Sequence, residues 1–269
     1  MSEPNLSTSM KIRATMGTVS YEQVGGGPDL VLLHSLLCDR RVFERVVPRL
    51  AVRHRLTLVD LPGFGETDLV EPGIENYANV VGVLLDALEL DPESTTVLGN
   101  GLGGFVALGA AVYHGDSFNR LVIAGAGAGF APESSVAFET MIDKVEAGGM
   151  EAILDIAVRR IFTEDYLDQH PEEANQRREV LRGTDPEAFT RACRTLISLD
   201  LRDAVRRIGN PTLIVVGSED VATPPAMGRD LSERIPDSSI EVLNGLAHAP
   251  QLQDPDRFLS VVMPFLDSA

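Results

Sequence analysis

The chain has 269 residues, with 40 acidic against 23 basic side chains and a formal charge of −17; a surface that acidic repels phosphate backbones, so nucleic-acid binding is not expected. Its length and its 44% apolar, 23% charged composition suit one large globular domain, or one domain carrying an inserted piece. Its two cysteines, Cys38 and Cys193, make no zinc spacing with the histidines. The polar stretch from Met1 to Met10 lacks a signal-peptide pattern, and no apolar run approaches the ~18 residues of a membrane span. The expectation is a cytoplasmic protein with a loose N-terminal tail and no membrane partner; a homodimer is left open.

Lys11 to Met16 and Thr18 to Val24 read as the strands of an opening hairpin, ahead of a Gly25-Gly26-Gly27-Pro28 break. Leu30-Val31-Leu32-Leu33 is an apolar run of the kind buried on both faces of a sheet, and it ends at His34-Ser35-Leu36. A helical pattern from Val42 to Ala51 follows, then a buried strand, Leu56 to Asp60, that runs into the turn Leu61-Pro62-Gly63-Phe64-Gly65. Helix Asn76 to Leu88 and strand Thr95 to Leu98 lead to Gly99-Asn100-Gly101-Leu102-Gly103-Gly104, which opens a helix from Gly103 to Tyr113. After strand Leu121 to Ala124 the pattern changes. From about Ala131 to Arg207 there are only amphipathic helical stretches, among them Val136 to Val145, Ala152 to Phe162 and Phe189 to Leu196. Alternation resumes with strand Thr212 to Val216, helix Ala226 to Ile235, strand Ile240 to Leu243 and a closing helix, Pro255 to Leu266. The order predicts a mostly parallel sheet with helices on both faces and a helical insertion over the carboxyl ends of its strands.

The glycine cluster fits two sites. Gly99, Gly101 and Gly104 match the dinucleotide fingerprint G-x-G-x-x-G, but several strands precede it and the next strand ends in Gly125 and Ala126 without the acid that would hold a ribose. Gly99 and Gly103 also match the nucleophile elbow G-x-S-x-G, with Gly101 in the nucleophile's place. That reading requires a later acid and then a histidine. Asp220 follows one strand in Gly217-Ser218-Glu219-Asp220, with Glu219 a weaker rival, and His248 follows the next in Gly245-Leu246-Ala247-His248.

These motifs, in this order and with His34-Ser35-Leu36 and Asp60 to Gly65 before them, resemble the α/β-hydrolase superfamily, and within it the small lactonase and esterase, haloperoxidase-like and C–C hydrolase members. The resemblance covers about Gly17 to Phe265. It implies an α/β-hydrolase core formed by 1–130 and 208–269, a helical cap over 131–207, Asp220 and His248 as acid and base, the N–H groups of Leu36 and Leu102 as oxyanion donors, and no cofactor. His34, Ser35, Asn100, Phe130, Met141, Phe162 and Tyr166 are the candidate substrate contacts, and Phe189 joins the last four as a candidate for the cap's inner face. Cys38, near the oxyanion loop, reads as a buried structural thiol. His54, His114 and His170 read as surface histidines.

Two positions depart from the family pattern. Ser35 replaces the glycine that usually follows the loop histidine, so a Cβ is expected to crowd that turn; the alternative is that its hydroxyl serves as a donor or as a substitute nucleophile. Gly101 replaces the nucleophile, so an acyl-enzyme cannot form there. Glycine reaches the elbow's positive φ without penalty, and a small void is expected where the missing side chain would lie. His248 and Asp220 could then activate water there. A positioned base contributes roughly 10²–10⁴-fold and an oxyanion donor roughly 10²–10³-fold, enough for activated esters, lactones, thioesters or C–C bonds next to carbonyls, not for amides. The sequence also allows a cofactor-free lyase, cyclase, isomerase or dioxygenase that uses His248 as base, a serine hydrolase inactivated by a Ser-to-Gly change, or a non-catalytic small-molecule binder.

Overall fold

The computed structural model describes residues 9–14 and 17–268. Positions 1–8 of the predicted tail, 15–16 of the predicted first strand and 269 lie outside the described residues. Eight strands form one sheet in the order β1-β2-β4-β3-β5-β6-β7-β8. β1 (Met10–Ala14) and β2 (Gly17–Gly25) pair antiparallel, as the opening hairpin predicts, and β2 lies antiparallel to β4 (Arg55–Val59). β3 (Asp29–Leu33), β4, β5 (Thr96–Asn100), β6 (Arg120–Ala124), β7 (Thr212–Gly217) and β8 (Ser238–Leu243) run parallel. All residues of β3, β5 and β7 are buried, which is why these strands read as unbroken apolar runs.

Strand order reverses at β3, and right-handed crossovers then send successive helices to opposite faces. α1 (Val47–Leu50) lies on one face; α2 (Ile74–Ala87) and α3 (Leu102–His114) lie on the other. The predicted helix from Val42 to Ala51 is in fact a 3₁₀ turn, Arg40–Phe43, followed by the short α1, because Pro48 suits a helix start but not its interior. α3 is buried from Leu102 to Ala111 and forms the spine of the core.

Between β6 and β7 the chain forms α4 (Pro132–Gly148), α5 (Leu154–Ile161), α6 (Glu164–Gln169), α7 (Pro171–Arg182) and α8 (Pro186–Ser198). A bridge between Gly129 and Asp200 and a hydrogen bond from Leu201 N–H to Ala128 O (2.7 Å) tie the two ends of this segment together. α9 (Pro225–Arg234) follows β7, and α10 (Pro250–Gln253) and α11 (Pro255–Asp267) follow β8. α11 returns to the face of α1, where Arg53 pairs with Asp267 at 2.7 Å. No helix among the described residues is long and apolar enough to cross a membrane.

Candidate active site

The glycine cluster is a sharp turn from β5 into α3. Gly101 sits at its tip with φ 55° and ψ −120°, a conformation that costs glycine little and other residues much. A Cβ on Gly99 would strike the Gly103 carbonyl, and one on Gly103 would strike the Leu33 carbonyl. Both glycines are therefore explained by a turn lying flush against β3. A Cβ on Gly104 would meet the Ala126 side chain, so packing at Gly99 and Gly104 and the positive φ of Gly101 account for the match to the dinucleotide fingerprint. Gly103 N–H donates to the His34 carbonyl (2.9 Å), which binds the elbow to the loop after β3.

Asp220, in the loop after β7, and His248, in the loop after β8, meet beside this tip: His248 Nδ1 lies 2.9 Å from Asp220 Oδ2, and both side chains are buried. Asp220 is fixed by its own loop, accepting from the N–H groups of Ala222 (2.8 Å) and Thr223 (2.9 Å) and from the Thr223 hydroxyl (2.7 Å). The Thr223 hydroxyl donates to Asp220 and its oxygen lies 3.2 Å from His248 Nδ1, so that nitrogen faces oxygen acceptors while Nε2 turns to the cavity and the Ser35 hydroxyl. Burial alone would raise the Asp220 carboxyl, but the charge and hydrogen bond of His248 and the bonds from Thr223 outweigh it and hold it below its ordinary value. The His248 backbone is held from two sides. Its N–H donates to the Ile161 carbonyl at the end of α5 (3.1 Å), and its carbonyl accepts from Asn100 Nδ2 (2.9 Å).

The expected void at the elbow is absent. A Cβ at position 101 would collide with Ser35 Oγ and come within 2.7 Å of His248 Nε2. Ser35 Oγ lies 3.4 Å from His248 Nε2. Nor does Ser35 crowd its turn, since its φ is not positive. The N–H groups of Leu36 and Leu102 donate to no carbonyl among the described residues, and both residues line the same narrow cavity as Ser35, Gly101 and His248. From the helical segment Phe130, Phe138, Met141, Arg160 and Leu196 close it. Its volume of about 30 Å³ admits a water or two but no ester, so substrate entry requires these side chains to move. A larger groove of about 650 Å³, near Asp116 and Arg207, opens at the amino ends of the strands, far from the dyad.

Residues 30–261 match the pattern of the alpha/beta hydrolase family. The chain belongs to the alpha/beta hydrolase family. It is 32% identical over 266 residues to a pimeloyl-[acyl-carrier protein] methyl ester esterase of Aeromonas hydrophila, covering 93% of this chain and 99% of that protein. It is 26% identical over 264 residues to 3-oxoadipate enol-lactonase 1 of Acinetobacter baylyi, covering 97% of each. The crystal structure of the enol-lactonase from Burkholderia xenovorans LB400 superposes with a TM-score of 0.88 at 26% identity, covering 96% of this chain and 100% of that one. The fold is that of an α/β-hydrolase, and the chain is a hydrolase.

Of the sequence-predicted contacts, Ser35, Phe130 and Met141 line this hydrolase's cavity, and His34, Asn100, Phe162 and Tyr166 do not. His34 is fully buried, its Nε2 accepting from Leu61 N–H (3.0 Å) and its Nδ1 bonded to the Ser35 carbonyl (3.0 Å). Asn100 turns away into a network with Gln251 (2.9 Å) and His248. Phe162 stacks on Tyr166 at 4.8 Å, and Tyr166 accepts from Arg45 (2.9 Å), so this pair packs the helical segment onto the core. Phe189 is likewise core. His54, expected at the surface, is buried, and burial pushes the Cys38 thiol up to about 12.

The sequence reading missed Thr223 and Arg160. Thr223, three residues after Asp220, has a local signal: a hydroxyl at that spacing caps the carboxylate's own turn. Arg160 has none. It sits beside Arg159 on the same helix, yet Arg159 pairs with Glu164 and Arg160 lines the cavity half-buried, without an ion pair or hydrogen bond among the described residues.

Proposed function

We propose that this hydrolase cleaves small, largely apolar esters or lactones, with His248, oriented by Asp220, taking the proton from the water that hydrolyses the substrate. The observation that carries the reading is His248 Nε2, turned to Gly101 and the Ser35 hydroxyl in an otherwise mostly apolar cavity while Nδ1 is held by Asp220. The free N–H groups of Leu36 and Leu102 supply donors for the oxyanion that forms when the carbonyl is attacked. The helical segment acts as a cap over the carboxyl ends of the strands, and its apolar side chains accept the acyl or lactone body. Arg160 adds one cation to that wall, and burial holds its pKa below the ordinary value, only partly offset by Asp220. An unpaired guanidinium there suits a carboxylate at the far end of the substrate. The esterase and lactonase names of the relatives support the same bond type.

The test is turnover of activated esters and lactones, with and without a distal carboxylate, by the protein and by His248→Ala. Activity abolished by the substitution supports the reading. Activity that survives it unchanged, or saturable ligand binding without turnover, would overturn it.

A further inference from the structure

Relative to the family pattern, serine and glycine are exchanged between two positions: the loop after β3 carries Ser35 where glycine is usual, and the elbow carries Gly101 where a nucleophile is usual. The two departures are one steric event. Ser35 Oγ occupies the place into which a side chain at position 101 would grow, so a serine in the loop and a side chain on the elbow exclude each other unless one moves. The hydroxyl that the elbow lacks thus reappears beside the same histidine, 3.4 Å from His248 Nε2, buried and without backbone strain. The contact is at the long end of a hydrogen bond, as such contacts often are before substrate binds.

We infer that Ser35 Oγ is the nucleophile, delivered to His248 from the oxyanion loop instead of the elbow. This rests on the dyad reading above and divides it into two steps. Ser35 O–H gives its proton to His248 Nε2 as Oγ bonds to the substrate carbonyl carbon, and the carbonyl electron pair moves onto its oxygen beside the N–H groups of Leu36 and Leu102. When that centre collapses, the bond to the leaving oxygen breaks, the leaving alcohol takes the proton from His248, and an ester remains on Ser35. Water then gives a proton to His248 and adds to the acyl carbon, and the Ser35 oxygen departs with that proton. One water is consumed; acid and alcohol are released.

The experiment treats the intact protein with a fluorophosphonate and, separately, with p-nitrophenyl acetate, and reads adducts by intact-mass and peptide mass spectrometry alongside the pre-steady-state burst. An adduct on the Ser35 peptide and a burst, both lost in Ser35→Ala and in the less intrusive Ser35→Gly, are the expected result. The paired exchange Ser35→Gly with Gly101→Ser should move the adduct to the elbow peptide. Unlabelled Ser35, with Ser35→Ala and Ser35→Gly both hydrolysing as fast as the parent through a functional His248, overturns the serine and leaves the water-activating dyad standing. Absence of adduct together with absence of any turnover overturns both.

Discussion

Two loops at the carboxyl edge of the sheet each bury a histidine, and the two histidines are spent differently. In the loop after β3, His34 uses both ring nitrogens on backbone, Nε2 taking the Leu61 N–H and Nδ1 donating to the Ser35 carbonyl. In the loop after β8, His248 uses Nδ1 on Asp220 and turns Nε2 to the cavity, where the Ser35 hydroxyl lies 3.4 Å away. Burial and proximity to the elbow are shared; a ring nitrogen that faces the cavity is not. A nitrogen that faces a cavity with one long side-chain contact is open to a ligand, as a nitrogen held by backbone is not. Arg159 and Arg160 repeat the contrast on one helix, the first paired with Glu164 and the second unpaired against the cavity.

The largest expected effect is on the nitrogen that faces the cavity. His248→Gln, whose side-chain amide keeps a donor for Asp220, should lower kcat on activated esters by roughly 10²–10⁴-fold, the scale of a positioned base, while leaving the thermal midpoint close to that of the parent. His34→Leu should do the reverse, destabilising by about 1–3 kcal/mol because two buried backbone groups lose their partner. Calorimetry and steady-state kinetics on the two variants would break the comparison if both lost rate and stability together. Next in size, Arg160→Gln should reduce kcat/KM for carboxylate-bearing esters by about 10–10²-fold, the range of a charged hydrogen bond, and leave neutral esters nearly unchanged. An equal loss on both substrate types would reassign Arg160 to structure.

The fold was legible because β3 and β7 are buried on both faces and so read as apolar runs, and because glycines at positions 99 and 103 are demanded by backbone contact. The proximity of Asp220 and His248 was legible for a topological reason: each closes a strand, and adjacent parallel strands end side by side. The filled elbow was not. Whether a glycine leaves a void depends on what a loop 66 positions earlier in the chain puts there, and no local pattern of residue types records that. The cavity wall was only partly legible, because Phe130 and Phe162 are alike in sequence and differ in which side of the helical segment they face.

The smallest expected effect is on the pH dependence of stability, and it isolates His34. Burial holds His34 below its ordinary value of about 6.5, with its hydrogen bond to Ser35 opposing only part of the shift. A histidine whose pKa is lowered by folding binds its proton more readily when unfolded, so its neutral form supports the fold fully above about pH 6.5, and that support is lost as pH falls toward the lower folded value. Asp220 is also lowered, but its contribution is present above the ordinary carboxylate range and disappears only at more acid pH. Buried His54 titrates in the same direction as His34, so the parent alone cannot separate them. Comparison with His34→Gln does: between about pH 7 and pH 5 the midpoint of the parent should fall more steeply than that of the variant, by the share His34 contributes. Parallel curves would mean that folding does not disfavour the protonated ring of His34, and the division between a histidine held by backbone on both sides and one open to the cavity would fail at the loop that carries Ser35.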